Sequence, residues 1–157
     1  MNKDEELLNT LSEDNVMALT AESSTEPHIV IGSDRHIAVP SQLKRIAVQF
    51  DHNVETVTFD CPRYWDGHDL SAMDVYIICK VPDGGIYRQT ASNVTVDGSD
   101  DSIMHFDWTI TNDITSISGK LAFNVCIKDV DENGTDIAHW NSDVNKDMYI
   151  SKGLEVN

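Results

Sequence analysis

Asp129, Asp131, Asn133 and Asp136 surround Gly134 in the stretch DVDENGTD. Its first half matches the calcium loop D-x-D-x-N-G, where alternate side chains turn inward and glycine permits the sharp bend. Position twelve of such a loop is a bidentate Glu; here it is Trp140. The competing reading is a hairpin turn made from the common turn formers Asp, Asn and Gly, and this is the reading we prefer. The four residues stand as the metal candidate, and no metal or other cofactor is expected. A second group lies in CPRYWDGHDLS, where Asp66, His68 and Asp69 follow Tyr64 and Trp65. Two acids and a histidine have the makings of a metal or acid–base site. Against that stands a loop stapled to the core by its two aromatics, with polar side chains satisfying the backbone. A third reading makes Arg63, Tyr64 and Trp65 a contact patch, since Arg, Tyr and Trp are enriched at interface hot spots.

Nucleophilic chemistry finds no foothold. The three cysteines, Cys61, Cys79 and Cys126, are odd in number and fit no zinc spacing. They are expected to stay as thiols in a reducing cytoplasm. Cys61 precedes Pro62 without an evident histidine partner, and Cys79 lies inside an apolar run, where cysteine is inert. There is no G-x-S-x-G, phosphate-cradling loop, H-E-x-x-H or paired-cysteine motif. His105 alternates outward from a strand and reads as a surface histidine; Asp100 and Asp101 read as a solvated turn. The chain is not expected to be an enzyme.

The elements that would position these residues are read from period-two alternation. It is strictest between residues 102 and 128. Met104, Phe106, Trp108 and Ile110 point one way, and His105, Asp107 and Thr109 the other. Leu121, Phe123, Val125 and Ile127 share a face opposed by Ala122, Asn124, Cys126 and Lys128. Successive side chains leave a strand on opposite faces, so these are two half-buried strands. Burying the eight apolar side chains contributes roughly 1.5–3 kcal/mol each before chain entropy is subtracted.

Around this centre lie further strand candidates. IVI at 29–31 and HIAV at 36–39 come first. Ile46, Val48 and Phe50 alternate in the next run, and Val57 and Phe59 in the one after; the two are close enough to form a hairpin. MDVYIICKV is apolar on both faces and reads as a central strand. IYRQT, NVTV, IAHWN and MYIS follow, with PDGG and VDGSDDS as turns. The expected fold is all-β: an antiparallel β-sandwich of about nine or ten short strands over residues 28–157. Its expected aromatic core is Phe50, Phe59, Phe106, Trp108 and Phe123. Residues 1–27 are acidic and polar and hold no aromatic residue. They read as an extended or partly helical N-terminal arm, with Leu7, Leu8 and Leu11 lining a short stripe that docks on a neighbour.

The totals bound the partners. In 157 residues there are 27 acids against 11 Lys plus Arg, a net charge of −16. Such a surface repels phosphate backbones and anionic membranes, so neither nucleic acid nor membrane is an expected partner. No run approaches the roughly 18 apolar residues of a membrane span, and the first residues lack the pattern of a signal peptide. Synthesis and folding in a cytoplasm are therefore expected.

The order of motifs carries a resemblance. PRYWDGHDLS at 62–71 is followed by an alternating strand, a D-G-G turn at 83–85, HFDWTI at 105–110, the step from Thr115 to Gly119 and Lys120, LAFNVCIK at 121–128 and HWNS at 139–142. This succession resembles the amino-terminal domain of the baseplate upper protein of phages of Gram-positive hosts, similar single domains of which occur in prophage structural genes. It covers about residues 29–154. The resemblance implies a non-enzymatic structural protein of the virion, made in the bacterial host cytoplasm, whose partners are other virion proteins and copies of itself in an oligomer or symmetric array. In that family a carboxy-terminal extension often follows the domain. This chain stops at Asn157, so the expectation is an accessory protein on the tail, baseplate or capsid surface, held by its arm and its sandwich faces. A different expectation from the exposed rings is a carbohydrate-binding adhesion module, with Tyr64, Trp65 and Trp140 stacking on sugars.

Overall fold

A computed structural model describes residues 26–154. Leu7, Leu8, Leu11 and almost all of the arm lie outside the described residues. In chain order the strands are β1 (Ile29–Ile31), β2 (Ile37–Ala38), β3 (Arg45–Val48), β4 (Thr56–Pro62), β5 (Tyr64–Trp65), β6 (His68–Asp69), β7 (Asp74–Lys80), β8 (Ile86–Thr90), β9 (Ser92–Val96) and β10 (Ile103–Thr109). A single-turn helix, α1 (Asn112–Thr115), precedes β11 (Gly119–Lys120), β12 (Ala122–Val130), β13 (Asp136–Asn141) and β14 (Tyr149–Ser151). The fold is all-β. The two-residue strands β5, β6 and β11, too short to show a period, were not expected, whereas β2 falls within the expected run at 36–39.

Two sheets form the body: a five-stranded one in the order β2-β1-β4-β10-β9 and a four-stranded one in the order β13-β12-β7-β8. As the alternation predicts, Met104, Phe106, Trp108, Ile110, Leu121, Phe123, Val125 and Ile127 are all buried. Phe106 pairs across from Phe59, and Phe123 across from Cys79. The sheets meet through their rings. Phe59 stacks on Phe106 at 5.0 Å, and Phe123 meets Phe59 at 6.2 Å and Trp108 at 5.7 Å. The Trp108 indole N–H donates to Gln89 Oε1 at 2.6 Å, so its polar atom is satisfied inside the core. β7 lies between β12 and β8, the interior position that its two apolar faces predict.

Three expectations are corrected. First, β3 and β4 do not form a hairpin. β3 runs parallel to β14 in a separate three-stranded sheet, while β4 runs parallel to β1 and antiparallel to β10. Second, Phe50 is not core: it sits at φ 78° after the end of β3 and is 41% exposed. The strand stops because Asp51 turns the chain, its carboxylate accepting the Val48 N–H at 3.0 Å. Adjacent Ile46 and Ala47 take the buried places instead. Third, α1 was not expected. Its Ile114 and Thr115 are buried, and the Thr115 hydroxyl donates to Asp51 O at 2.6 Å, so this turn plugs the loop that carries Phe50. Beyond it Gly119 adopts φ 135°, and a Cβ there would stand 3.0 Å from Pro82 Cγ. Glycine is needed for both reasons.

Urea unfolding separates core from turn. Phe106→Ala and Trp108→Ala should each lose about 3–5 kcal/mol. Phe50→Ala should stay within about 1 kcal/mol of the parent; a loss from Phe50→Ala equal to the other two would contradict this assignment.

Candidate functional site

Two arrangements of polar and aromatic groups stand out among the described residues, one at the β5–β6 hairpin and one on the outer face of the five-stranded sheet. The hairpin pairs Tyr64 with Asp69 and Trp65 with His68. Asp66 at φ 49° and Gly67 at φ 83° make its two-residue turn, with both central residues left-handed as a type I′ turn requires. The alternation then splits the three residues expected to act together. Asp69 turns to Arg63, which donates from Nε at 3.1 Å and Nη2 at 3.0 Å. It also accepts from the Ser71 backbone N–H at 3.0 Å and hydroxyl at 2.6 Å. These donors, Arg63 first, hold the Asp69 carboxyl down to about 2. Asp66 and His68 instead line a groove of about 270 Å³ together with Arg35, Trp65, Met73 and Trp140. An acid–base site from Asp66, His68 and Asp69 is thus not assembled.

The groove is built by stacking. Trp65 meets Trp140 at 5.8 Å and 63°, and the Arg35 guanidinium lies 4.5 Å from the Trp65 ring and 5.4 Å from the Trp140 ring. A cation over an aromatic face is attracted by the ring quadrupole. Arg35 is held in turn by donating to Asn141 O at 3.2 Å. Trp140 is buried, and its indole N–H has no partner within the described residues. Tyr64 is 49% exposed, with the Arg63 guanidinium 4.8 Å from its ring. Arg63 thus lies over Tyr64, while Trp65 faces Arg35 and Trp140 in the groove.

The calcium-loop candidate is a turn. Asp131 Oδ1 accepts the backbone N–H groups of Asn133 and Thr135, each at 2.9 Å, and Gly134 adopts φ 81°. Asp136 pairs with His139 Nδ1 at 3.0 Å and lies 3.8 Å from Lys128 Nζ, while Asp129 belongs to β12 opposite Ala138. The carboxylates of Asp131 and Asp136 are thus spent on separate tasks, and the loop's acids do not converge as cation ligands among the described residues.

Sequence reasoning missed the second arrangement. His105, on β10, lies directly across from Asp60 on β4, and its Nδ1 is 2.8 Å from Asp60 Oδ1. His28, just before β1, places its own Nδ1 2.7 Å from the same oxygen. On the far side His105 Nε2 is 2.7 Å from Asp97 Oδ1. Asp97 Oδ2 in turn accepts the backbone N–H groups of Ser99 and Asp100, both at 3.0 Å. The bond to Asp97, and after burial's opposing effect the bond to Asp60, raise the His105 imidazole above its ordinary value. The same histidine bond lowers Asp97. His105 is therefore the hub of a chain of four residues, not a free surface histidine. The available signal was its outward position in an alternating strand; which strands lie beside it was not legible.

The cysteines are free. Burial pushes the Cys61 and Cys79 thiols up to about 12, so neither supplies a thiolate at neutral pH. Cys126 Sγ lies 3.2 Å from His139 Nε2.

Compared with protein-family models and with curated proteins, the chain matches none. No helix among the described residues is long and apolar enough to cross a membrane.

The Arg63–Asp69 pair makes a prediction with a sign. The folded carboxyl titrates at about 2, below its ordinary 3.8. Its stabilisation is complete above about pH 4 and is lost as the pH falls through 2. Asp69→Asn should melt below the parent at neutral pH, and the gap should close as both are acidified. A gap independent of pH would assign the pairing no role.

Proposed function

We propose that this chain is a non-enzymatic structural protein of a phage virion, fixed to the tail, baseplate or capsid surface through its N-terminal arm and its sandwich faces. The observation that carries this reading is apolar surface on the four-stranded sheet that no described residue covers. Ile86 is 66% exposed and Val144 59%, beside half-buried Ile78 and a shallow hollow of about 150 Å³ that Ala122 and Asn124 also line. β8, which carries Ile86, is the edge of that sheet. An open edge next to a contiguous apolar patch is a surface made for association. The occupant that fits is a second copy of the chain in a symmetric array, with other virion proteins as further neighbours. The motif order described above supports the same reading. The charge of −16 supports it too, by disfavouring nucleic acid and anionic membrane as partners.

Two variants test the two attachments. Removing residues 1–25 should abolish incorporation into particles while leaving the melting temperature of the body unchanged. If arm-less protein fills particles to full occupancy, the tether is wrong. Ile86→Asp combined with Val144→Asp should shift the sedimenting species to monomer, and an unchanged distribution would remove this face from the assembly.

The Arg35–Trp65–Trp140 groove favours a second reading, a carbohydrate-binding module for adhesion. Since Trp140 is buried, Tyr64 and half-buried Trp65 are the rings left to stack on a sugar, with Asp66 and His68 as polar partners. On a glycan array the parent should then bind and Trp65→Ala should lose the signal. Silence from the parent disposes of the module.

A further inference from the structure

The cluster of His28, Asp60 and His105 has a donor set that the virion reading does not use. Its three ligand atoms, Nδ1, Oδ1 and Nδ1, all lie within 4.8 Å of one another. Two nitrogens face a single carboxylate oxygen, at 2.7 and 2.8 Å. His105 Nε2 is already committed to Asp97 Oδ1. A neutral imidazole carries one proton. In the tautomer that donates to Asp97, the Nδ1 lone pair of His105 therefore points at the Asp60 oxygen. A proton or a divalent cation between them holds such a pair together, and the three converging ligand atoms admit either.

The surroundings fit a metal. A carboxylate on the far nitrogen of a histidine fixes the ring and raises its basicity, which is how metal-ligating histidines are supported. Asp97 is in that position and is itself held by two backbone N–H groups. The platform is stiff, because β4 is paired on both sides, with β1 and with β10. The side chains are partly open to solvent, 36%, 30% and 23% for His28, Asp60 and His105, which leaves room for a fourth ligand. Two imidazoles and one carboxylate with an open position suit zinc and its neighbours, whereas calcium and magnesium prefer all-oxygen sets. Zinc–ligand bonds near 2.0–2.2 Å in a tetrahedron separate ligand atoms by about 3.3 Å. The present nitrogen–oxygen gaps would open by about half an ångström, within reach of small side-chain rotations.

We infer that His28, Asp60 and His105 bind one divalent transition-metal ion of the zinc class on the outer face of the five-stranded sheet, with Asp97 positioning His105 and water completing the shell. The site joins the leading edge of the body to its two central strands, so an ion there ties β1 to β4 and β10.

The test uses the tag-free full chain, stripped with a chelator and titrated with cobalt(II), then displaced with zinc. The parent should develop the visible absorption of low-symmetry cobalt at one equivalent, and equimolar zinc should raise its melting temperature. His28→Gln, Asp60→Asn and His105→Gln should each abolish the band. Asp97→Asn should weaken binding about 10–100-fold. His139→Gln, which removes a histidine from the other sheet, should bind like the parent. His28→Gln alters a residue at the entrance of the sheet and should stay folded by circular dichroism. On the parent itself, long-range proton–nitrogen NMR of the rings should show both Nδ1 atoms metal-bound and His105 Nε2 protonated. No cobalt band, a band that survives His28→Gln and His105→Gln, or a His105 Nδ1 that keeps its proton in equimolar zinc would each overturn the assignment.

Discussion

Phe59, Phe106, Trp108 and Phe123 fill the space between the two sheets, and every other placement follows from theirs. A strand that commits one side chain inward commits its neighbours outward. Fixing Phe59 and Phe106 as stacked partners in the core sets Asp60 and His105 side by side on the opposite face of the same two strands. The ladder that pairs Phe106 with Phe59 is the ladder that pairs His105 with Asp60. A register slip of one residue would drive both polar groups into the core, at a cost of several kcal/mol for unpaired charge. The apolar interior thus locates the polar cluster without touching it.

The outer face of that sheet carries further polar pairs beyond the cluster, beside exposed Val30 and half-buried Ile103. The Thr58 hydroxyl donates to Asp107 Oδ1 at 2.7 Å, the Asn93 side chain donates to Asp107 Oδ2 at 2.9 Å, and the Thr56 and Thr109 hydroxyls meet at 3.0 Å. Cross-strand pairs of this kind each contribute a few tenths of a kcal/mol to about 1 kcal/mol. The four-stranded sheet differs. Its outer face mixes Tyr76, flanked by Arg88 and Lys128, with the exposed Ile86 and Val144. The first face is richer in side-chain hydrogen bonds, the second in exposed aliphatic side chains.

What could be read from the chain alone follows a physical division. Period two is a local property, so the inward faces of residues 103–110 and 121–128 were legible, as was the interior position of β7 in its sheet. The turn at Asp131–Gly134 was legible from its turn-forming residues, whereas the hairpin around Asp66–Gly67 was read only as a loop. Partner choice is not local. Nothing in β3 or β4 states that each will accept a parallel neighbour from a distant part of the chain, so the expected hairpin failed. Phe50 misled because alternation was extended two residues past a strand that Asp51 ends. His105 misled because a side chain's exposure depends on what its neighbours in the sheet bring, and Asp97, Asp60 and His28 arrive from three other segments. Asp66, His68 and Asp69, adjacent in sequence, were separated by the very alternation that builds the hairpin.

The parallel pairing of β14 with β3 places residues about a hundred positions apart in one ladder, Ile150 beside Ala47. Closing so long a loop is entropically slow and precedes any reward from the contacts it allows. During translation the segment around Ile46 must wait with its apolar side chains unsealed until the ribosome has released the stretch ending at Ser151. A nascent chain shorter than that is an unlatched sheet, open to the chaperones and proteases that attend it.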